Sequence, residues 1–439
     1  MVRSLSFLRD FLEDLKSRNM IVEINKSVPI TNIPALLKKL DGRPVLFNLV
    51  EDTPYKIAGN ICSSRDLLAF SLKVRREELL SRLAEAFEKR SEPEIVKSGR
   101  CQEVTETVNL NNLPILTHTA GDGGPYVTSG VLILRDPEFG RNASIHRLMK
   151  LDDKRFAVRL VEERDADVYL KRAGGEMDVA ICIGNHPSFL LAAATSLDIT
   201  VDELEIANSL RELKLVKCKK VDLEVPENSE IVLEGRIINE LVDEGPFLDL
   251  TGTYDIIRKQ PVIEIRHFTH AKNPIYQALL PGGLDHKLLM SLPRETAIYN
   301  EVKKVCECKN VLITPGGCSW LHGIVQIRKK KPEDGMNAIE AAFRAHKSMK
   351  HVVVVDEDID IYDLNCVEYA IATRFQASKN LILRKDKGSS LDPSANQVTR
   401  ETTKVGVDAT IPFDKDRSHF TPVKIIGEET IRVEDYVSQ

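Results

Sequence analysis

Short apolar, β-branched runs fill residues 113–285, and their spacing constrains the fold more than any other feature of the sequence. Glycine, proline and aspartate separate the runs, which are Tyr126–Leu134, Val179–Ile183, Glu230–Leu233 and Val262–Ile265. Runs of this length between turn residues are typical of strands in a barrel or a sandwich. Helical patterns interrupt them at Asp167–Arg172 and Val201–Leu213. We therefore expect a central strand-rich domain over residues 113–285.

The preceding residues, 1–112, show a mixed α/β pattern. Apolar side chains at helical spacing predict an amphipathic first helix, and they are Leu5, Leu8, Phe11, Leu12 and Leu15. A buried strand is predicted at Arg43–Phe47 and a helix at Glu77–Lys89. Turn-forming residues at 111–114 then mark a boundary. The first domain is therefore expected to be α/β and to end at residue 112.

The residues after 285 begin with a helical pattern and then alternate strand and helix. Residues 286–305 predict a linker helix. Beyond it, the predicted elements are strands at Asn310–Thr314, His351–Asp356 and Asn380–Leu383, and helices at Gly335–His346 and Cys366–Arg374. This alternation is typical of a small parallel sheet covered by helices. We expect a C-terminal α/β domain over residues 306–439, so the overall fold class is α/β (α+β).

Charge and composition exclude several classes of function. The formal net charge of -5 leaves no basic surplus for a nucleic-acid backbone. No uninterrupted apolar run approaches the ~20 residues that cross a bilayer, so membrane insertion is not expected. The first residues mix charges with periodic apolar side chains, unlike a secretory signal, and we expect a cytoplasmic protein. The eight cysteines include no CxxC pair, which favours reduced thiols over a zinc site.

A Gly-Pro turn at residues 243–249 carries three carboxylates, those of Asp243, Glu244 and Asp249. Such turns hold side chains in fixed directions. Two acids close together, one of them near apolar Phe247, differ in their affinity for a proton, which acid/base catalysis requires. An exposed acidic turn is the other interpretation, and this segment taken alone favours it.

A polar segment at residues 142–147 offers neutral oxygens and one planar cation. Its alternation places Asn142, Ser144 and His146 on one face of a strand and Arg147 on the other. An arginine holds a carboxylate or a phosphate through two parallel hydrogen bonds. Asn142 and Arg147 would then serve different parts of one ligand. An ordinary polar strand accounts for the segment equally well.

Three further motifs have both a structural and a functional interpretation. Asp202 and Glu203 begin a helical pattern, where a carboxylate suits the helix dipole, or they provide a ligand for Mn²⁺ or Mg²⁺. The glycines of Pro315–Cys318 would let backbone approach a ligand, although a lone Gly-Gly is weak evidence. The acids of Asp356–Asp360 are expected to form a solvated turn rather than the metal site of a hydrolase. Cys318 has no histidine that the sequence pairs with it, which argues against a cysteine hydrolase.

Eight motifs in a fixed order make the chain resemble the UbiD family of decarboxylases. They are Asn142–Arg147 (NASIHR), Lys171–Glu176 (KRAGGE), Ser229–Gly235 (SEIVLEG), Glu244–Phe247 (EGPF), Pro315–Cys318 (PGGC), His351–Asp363 (HVVVVDEDIDIYD), Ser389–Ser394 (SSLDPS) and Lys404–Thr410 (KVGVDAT). The resemblance covers nearly the whole chain. It implies an N-terminal α/β domain, a flavin-binding split β-barrel, a linker helix and a C-terminal α/β domain, in agreement with the patterns above.

The resemblance also implies a prenylated FMN cofactor, a divalent metal that is normally Mn²⁺, and often K⁺. By motif match, Asn142 and Glu203 are the expected metal ligands. The stretch 159–165 lacks the histidine that some members contribute, so water, phosphate or Asp165 would complete the coordination. The expected cofactor-binding residues are Ile145, His146, Arg147, Arg159, Leu160, Val161, Arg164 and, as a weaker candidate for the phosphate, Lys404.

For catalysis, the resemblance implies that Asp249 donates a proton, while Glu244 and Arg147 form a charge pair that positions it. Since the donor has to be neutral near pH 7, we expect Asp249 to be buried. Family members often have glutamate at this position, so the aspartate is a departure. The cofactor provides chemistry that side chains lack, because loss of CO₂ from an unsaturated acid leaves an unstable carbanion.

The substrate expectation rests on compact archaeal members of the family. They imply trans-anhydromevalonate 5-phosphate, a phosphorylated α,β-unsaturated acid that loses CO₂ to give isopentenyl phosphate in isoprenoid synthesis. The alternative is a polyprenyl-4-hydroxybenzoate of quinone synthesis, which requires an apolar groove instead of a phosphate site. An alternative of another class is a non-catalytic flavin-binding subunit. The family also implies a flavin prenyltransferase as cofactor supplier and a homodimer or larger homo-oligomer.

Overall fold

The computed structural model describes residues 7–421, 423, 425–428 and 430–437. Within these ranges no helix is both long and apolar enough to cross a membrane. The α-helices are α1 (Leu8–Ser17), α2 (Ile33–Lys39), α3 (Arg65–Leu72), α4 (Leu79–Glu88), α5 (Asp165–Arg172), α6 (Pro187–Ala193), α7 (Glu203–Leu210), α8 (Leu284–Lys303), α9 (Asp334–Ala345), α10 (Leu364–Arg374) and α11 (Ala377–Asn380). Short 3₁₀ helices lie at Ile30–Asn32, Arg76–Glu78, Arg100–Gln102, Leu110–Asn112, Arg417–Phe420 and Val433–Asp435.

The strands form several sheets, and most of them fall in the central part of the chain. They are β1 (Val22–Ile24), β2 (Val45–Phe47), β3 (Lys56–Gly59), β4 (Glu94–Val96), β5 (Val104–Glu106), β6 (Tyr126–Val127), β7 (Val131–Asp136), β8 (Gly140–Ile145), β9 (Leu148–Lys150), β10 (Arg155–Val158), β11 (Met177–Ile183), β12 (Lys214–Lys217), β13 (Glu224–Pro226), β14 (Ile231–Glu244), β15 (Phe247–Leu248), β16 (Tyr254–Asp255), β17 (Arg258–His270), β18 (Ile275–Ala278), β19 (Glu307–Ile313), β20 (His322–Arg328), β21 (His351–Asp356), β22 (Leu381–Lys387) and β23 (Glu401–Asp408).

The central sheet confirms the prediction of a strand-rich middle part. Its order is β6-β9-β10-β17-β14-β11-β7-β8, with β5 added on β17, and neighbouring strands are antiparallel. Both faces of this sheet are buried. Alternate residues of a strand point to opposite faces, and here each face packs against a different hydrophobic core. Val131 and Ile133 pack with α3, α4, α6 and α7, whereas Leu132 and Leu134 pack toward α5 and the N-terminal sheet.

One predicted strand of the central part is interrupted. The run at 126–134 forms two strands, β6 and β7, rather than one. Between them, the Thr128 hydroxyl donates to the carbonyl of Leu279 at 2.6 Å and the Ser129 hydroxyl to that of Gln277 at 2.7 Å. These hydrogen bonds attach the segment between β6 and β7 to β18 and the residue after it. The apolar pattern of the run does not predict such distant partners.

The N-terminal part confirms the amphipathic first helix. Leu8, Phe11, Leu12 and Leu15 are buried along one face of α1, while Leu5 lies outside the described residues. Burial of each such side chain contributes roughly 1.5–3 kcal/mol. The adjoining sheet has the order β1-β2-β3-β18, and the predicted strand at 43–47 is its fully buried β2.

The predicted domain bounds, 1–112, 113–285, 286–305 and 306–439, stay a prediction. Strands from the first range pair with strands from the second. From the first range, β4 pairs with β12 and β5 pairs with β17. In the opposite direction, β18 of the second range pairs in parallel with β3. The N-terminal and central parts are therefore interlocked through their sheets.

The C-terminal part has the predicted alternation, but its sheet is mixed rather than parallel. In the order β19-β20-β21-β23-β22, only the inner pairs are parallel, and both edge strands are antiparallel. The prediction of a solvated acidic turn at 356–360 is wrong for its first residue. Asp356 is buried, and the fully buried Arg374 donates to Asp356 at 2.9 Å and to Asp358 at 2.7 Å.

The linker helix α8 contacts all three parts. Near its start, the Asp285 carboxylate accepts the backbone N–H of Cys62 at 2.7 Å. Further along, the buried Glu295 accepts from Arg65 of α3 at 2.6 Å and from the backbone N–H of Ile313 in β19 at 2.8 Å. The predicted helix is thus confirmed, and it joins the N-terminal part to the C-terminal sheet through buried polar contacts.

Candidate functional site

Arg147 and Glu244 form a buried ion pair at one end of the central sheet. Arg147 lies between β8 and β9, and Glu244 is the last residue of β14. The guanidinium donates from Nε to Glu244 Oε1 at 2.8 Å and from Nη2 to Oε2 at 2.9 Å. Glu244 has no solvent exposure. Burial alone lowers the pKa of Arg147, but the hydrogen bonds and charge of Glu244 reverse this and raise it.

Asp249 follows β15 and lies beside this pair without a hydrogen bond to it. Its Oδ2 is 3.8 Å from Arg147 Nη1, and its Oδ1 accepts the backbone N–H of Leu250 at 2.6 Å. The side chain is 18% exposed. The expectation of a buried Asp249 is therefore met only in part, because one side of the carboxyl remains accessible to water.

His286 of α8 faces the same carboxyl. Its Nδ1 accepts the backbone N–H of Gly282 at 3.1 Å, so the neutral ring carries its proton on Nε2. Burial lowers the pKa of His286, while the charge of Asp249 acts in the opposite direction. A neutral imidazole with a fixed donor atom thus lies within electrostatic range of Asp249.

Aromatic packing holds the turn that carries these acids. The Tyr126 hydroxyl donates to Glu244 Oε1 at 3.1 Å, and its ring packs on Phe247 with centroids 4.6 Å apart. Arg147 lies over the Phe247 ring at 4.7 Å. Gly245 adopts φ +103°, a conformation that favours glycine and lets the chain turn directly after Glu244. The Gly-Pro turn therefore directs Glu244 inward and Asp249 to the edge of the site.

A second cluster contains the predicted metal ligands. Asn142 of β8 and Glu203, the first residue of α7, are both buried, with Asn142 Nδ2 at 3.2 Å from Glu203 Oε2. The backbone N–H of Ala143 donates to the same oxygen at 2.9 Å. Among the described residues no cation pairs with Glu203, and burial raises the pKa of Glu203 well above its usual range. A buried carboxylate and an amide oxygen, without a counter-charge, fit a hard divalent cation.

A nearby group of acids has a different explanation. Glu92, Asp202 and Glu205 lie close together at the start of α7. Arg141 donates to Glu92 at 2.7 Å and to Asp202 at 2.6 Å, so this cluster already has a counter-charge. Asp202 also caps α7 by accepting the backbone N–H of Leu204 at 2.8 Å. The helix-dipole interpretation therefore suits Asp202, whereas Glu203 faces the interior.

The strand face predicted for residues 142–146 is present as a chain of hydrogen bonds. The Ser144 hydroxyl lies 2.9 Å from Asn142 Oδ1 and 2.9 Å from His146 Nε2. His146 Nδ1 lies 2.9 Å from the carbonyl of Arg159. Burial lowers the pKa of His146, which keeps the ring neutral. Ile145 ends β8, so His146 and Arg147 lie just beyond the strand.

Three arginines in this part of the molecule have no carboxylate partner. Within the described residues, Arg159, Arg164 and Arg294 form no ion pair with an acid. Arg164 Nη1 donates to the Ser196 hydroxyl at 2.9 Å, and Arg294 Nη1 to the Ser196 carbonyl at 3.4 Å. Burial and the charge of Arg164 lower the pKa of Arg294 to about 10. Two like charges around one serine favour an anion between them, and a phosphate group fits.

The remaining predicted cofactor residues occupy different surroundings. Leu160 is buried and Val161 is exposed beside Arg159. Lys404 of β23 is buried in the C-terminal part, where its Nζ lies 3.0 Å from Asp386 and donates to the carbonyl of Lys347 at 2.7 Å. Lys404 is therefore already paired, unlike the three arginines.

Four residues of the site were missed by sequence reasoning. Arg294 and His286 sit in a helix whose pattern indicated only a linker, and Ser196 in an unremarked loop. Asp255 ends β16 and accepts from Arg147 Nη2 at 2.9 Å. Only Asp255 had a signal in the sequence, since it follows the Gly-Pro turn within a few residues.

The fold and the site define a three-part α/β protein whose central sheet presents a buried arginine–glutamate pair beside a partly exposed carboxyl. Models of three domains of 3-octaprenyl-4-hydroxybenzoate carboxy-lyase match it in order: the N-terminal domain at residues 12–87, the Rift-related domain at 94–284 and the C-terminal domain at 287–409. The chain belongs to the UbiD family of carboxy-lyases, which confirms the resemblance seen in its motifs.

A curated relative and two solved structures extend this result. The chain is 44% identical over 423 residues to the anhydromevalonate phosphate decarboxylase of Methanocaldococcus jannaschii, covering 94% of this chain and 99% of the relative. The UbiD-class enzyme HmfF from Pelotomaculum thermopropionicum, in complex with FMN, superposes with a TM-score of 0.93 at 37% identity, covering 98% of this chain and 100% of HmfF. An evolved dimeric form of HmfF with prFMN gives 0.89 at 35% identity, covering 98% and 100%.

Proposed function

We propose that the protein is a prenylated-FMN-dependent decarboxylase that converts trans-anhydromevalonate 5-phosphate to isopentenyl phosphate. The observation that carries this proposal is the bidentate Arg147–Glu244 pair with Asp249 beside it, 3.8 Å from the guanidinium and partly open to water. The name of the relative at 44% identity supports the substrate, and the HmfF complexes support the cofactor. A non-catalytic flavin-binding subunit would not need a partly exposed carboxyl beside a buried ion pair.

The arrangement of donors fits such a cofactor. Arg164 and Arg294, which share Ser196, would hold its phosphate together with Arg159. Asn142 and Glu203 would bind the divalent metal, with Mn²⁺ as the proposed ion. Their oxygens and the phosphate are hard ligands, which suit this metal. When bound, the cofactor supplies the electron sink that accepts the electrons released with CO₂.

The chain's own residues then bind, orient and protonate. Arg147, fixed by Glu244, presents its positive charge to the substrate carboxylate. The carbon–carbon bond to that carboxylate breaks and CO₂ leaves. Asp249 transfers its proton to the same carbon, where a C–H bond replaces the C–C bond. The exposed side of Asp249 then takes up a proton from water, which restores the neutral acid for the next turnover.

The substrate proposal is tested by CO₂ release from protein co-produced with a flavin prenyltransferase, the proposed cofactor supplier. We expect release from trans-anhydromevalonate 5-phosphate, and much less from the same acid without its phosphate. A polyprenyl-4-hydroxybenzoate serves as the competing substrate. Preference for the aromatic acid would overturn the substrate, and failure to retain flavin would overturn the enzyme assignment. Sedimentation of the same preparation tests the proposed homodimer or larger homo-oligomer.

Glu203→Gln is expected to remove the metal and weaken flavin binding by at least about a hundredfold, since even outer contacts of a metal ligand contribute ten- to hundredfold. The amide keeps an acceptor for the N–H of Ala143 but loses the charge that holds the cation. Metal analysis and flavin absorbance of the purified protein measure both effects. Glu205→Gln on the same helix is the matched control and should retain metal and flavin. Full metal content in the Glu203 variant would contradict the assignment.

A further inference from the structure

Three arginines meet at the end of the central sheet where the buried ion pair lies. Arg147 directly precedes β9, Arg159 directly follows β10 and Arg258 begins β17, and these three strands are neighbours in the sheet. The backbone N–H of Arg159 donates to the carbonyl of Arg147 at 3.2 Å, which extends the pairing of Val158 with Leu148 by one residue. Residues directly opposite each other in an antiparallel pair have their side chains on the same face. Arg147 and Arg159 therefore start from neighbouring positions on one face of the sheet.

Two of these arginines have carboxylate partners, and Arg159 has none. Arg147 donates to Asp255 at 2.9 Å, and Arg258 donates to the same carboxylate at 2.6 Å. Among the residues that the structure describes, no carboxylate oxygen lies within ion-pair distance of Arg159. Its Nη1 donates to the carbonyl of the next residue, Leu160. Since a guanidinium has five N–H donors, this bond leaves several of them available to a ligand.

The surroundings of Arg159 are unfavourable for a positive charge without a partner. Its side chain is half-buried, and burial lowers the pKa of Arg159, as do the charges of Arg258 and Arg147. The charges of Asp255 and Glu244 act in the opposite direction and compensate only in part. A partly buried cation of this kind is stabilised by a nearby anion, and here the described part of the chain does not provide one. An anionic ligand would supply the missing charge.

The backbone on both sides of Arg159 is fixed. Its carbonyl lies 2.9 Å from His146 Nδ1, and the N–H of Leu160 donates to Gln260 Oε1 at 2.8 Å. Gln260 is itself buried. The guanidinium therefore extends from a rigid position on the sheet, as precise binding of a ligand requires.

We infer that Arg159 binds the phosphate group of the substrate while Arg147 holds its carboxylate. This inference rests on the proposed function, in which the substrate is a phosphorylated unsaturated acid. An arginine holds a phosphate through two parallel hydrogen bonds, and two neighbouring arginines suit a short molecule with an anionic group at each end. The contact proposed between Arg159 and the cofactor is compatible with this role, because the guanidinium offers several donors.

The same residue disfavours the aromatic alternative. A polyprenyl-4-hydroxybenzoate combines one carboxylate with a long apolar tail. A tail packed beside Arg159 would remove the guanidinium further from water without supplying an anion, which is energetically costly. Arg159 thus acts as a specificity-determining residue that selects acids carrying a phosphate.

Arg159→Gln tests the inference when trans-anhydromevalonate 5-phosphate and the same acid without its phosphate are both assayed. Rates are normalised to the flavin bound after co-production with a flavin prenyltransferase. We expect kcat/KM for the phosphorylated acid to fall roughly ten- to a hundredfold, as the loss of a hydrogen bond between charged groups implies, mainly through KM. For the unphosphorylated acid kcat/KM should change by less than about threefold, because the group that Arg159 binds is already missing.

Arg155→Gln is the matched control for this variant. Arg155 begins the strand that Arg159 follows, but it pairs with Asp152 at 2.7 Å and with Glu240 at 3.3 Å. Its removal should leave the preference for the phosphorylated acid unchanged. An equal loss on both acids in Arg159→Gln would assign the residue to the carboxylate or to the fold, and would overturn the inference. Loss of flavin with the phosphate preference intact would make Arg159 a cofactor ligand only, with the same consequence.

A second measurement needs no turnover. Titration calorimetry of the purified protein with isopentenyl phosphate and with isopentenol reports how much the phosphate contributes to binding. We expect the wild type and Arg155→Gln to bind the phosphate ester at least about tenfold more tightly than the alcohol, and Arg159→Gln to lose most of this difference. An unchanged difference in Arg159→Gln overturns the inference. A wild-type protein that releases CO₂ from neither acid would defeat the proposed function, and this titration would still decide the role of Arg159.

Discussion

Replacing Asp249 with asparagine is expected to lower CO₂ release by about a thousandfold, within the range that a general acid contributes. Asparagine retains an acceptor for the N–H of Leu250, so the turn should keep its shape. It carries no acidic proton, so the carbon that loses CO₂ has no donor at the correct place. Flavin should remain bound, because Asp249 makes no contact with Arg164, Arg294 or Ser196. Single-turnover CO₂ release and flavin absorbance measure the two properties separately.

Asp243→Asn is the matched control for this variant. Asp243 lies six residues away, its side chain is 64% exposed and it pairs with Lys259. It removes the same charge from the same segment and should turn over normally. Near-normal turnover in Asp249→Asn would mean that another group donates the proton, with His286 the next donor to examine.

Arg147→Met is expected to have the second-largest effect, on both stability and activity. The substitution leaves Glu244 fully buried without its cation, and among the described residues the Tyr126 hydroxyl is then its one side-chain donor. Breaking a buried pair in this way costs about 3–5 kcal/mol in the free energy of unfolding. CO₂ release should fall below detection because the substrate carboxylate also loses its counter-charge. Denaturant unfolding and the CO₂ assay measure the two losses.

The double variant Arg147→Met with Glu244→Gln separates these two losses. A neutral glutamine at 244 still accepts from Tyr126 and removes the unpaired charge. Most of the lost stability should return, because replacing both partners of a buried pair is often close to neutral. Activity should not return. A single variant that is as stable as the wild type would show that Glu244 finds another counter-charge, and the pair would no longer explain the burial.

Sequence periodicity was sufficient for the elements whose burial is one-sided or complete. The stripe Leu8, Phe11, Leu12 and Leu15 predicted α1, and the four runs of the middle part fall on β6, β7, β11, β14 and β17. It failed where side-chain hydroxyls of Thr128 and Ser129 interrupt a strand, because their partners lie about 150 residues away. The antiparallel edges of the C-terminal sheet were missed for a similar reason, since strand direction depends on connections that local pattern does not record.

The residues of the site fall into two groups. Some lie in sequence motifs, and others are brought together only when the chain folds. The motifs contained Arg147, Glu244 and Asp249, and the structure places the three side by side. Arg294 was not predicted, because a single arginine in a helix gains meaning only from Arg164 and Ser196 across the fold. Asp255 was not predicted either, because its hydrogen bond to Arg147 joins residues that lie 108 positions apart in the chain.

The linker helix α8 fixes the distance between His286 and Arg294. His286 near its start interacts electrostatically with Asp249, the proposed proton donor, and Arg294 donates to the Ser196 carbonyl at the proposed anion site. Eight residues of helix separate them, a rise of about 12 Å, and Pro293 lies within this stretch. An insertion of one residue between them would swing Arg294 about 100° around the axis and withdraw it from Ser196. A change in the length of this segment would thus displace the proposed flavin phosphate site relative to the proposed proton donor.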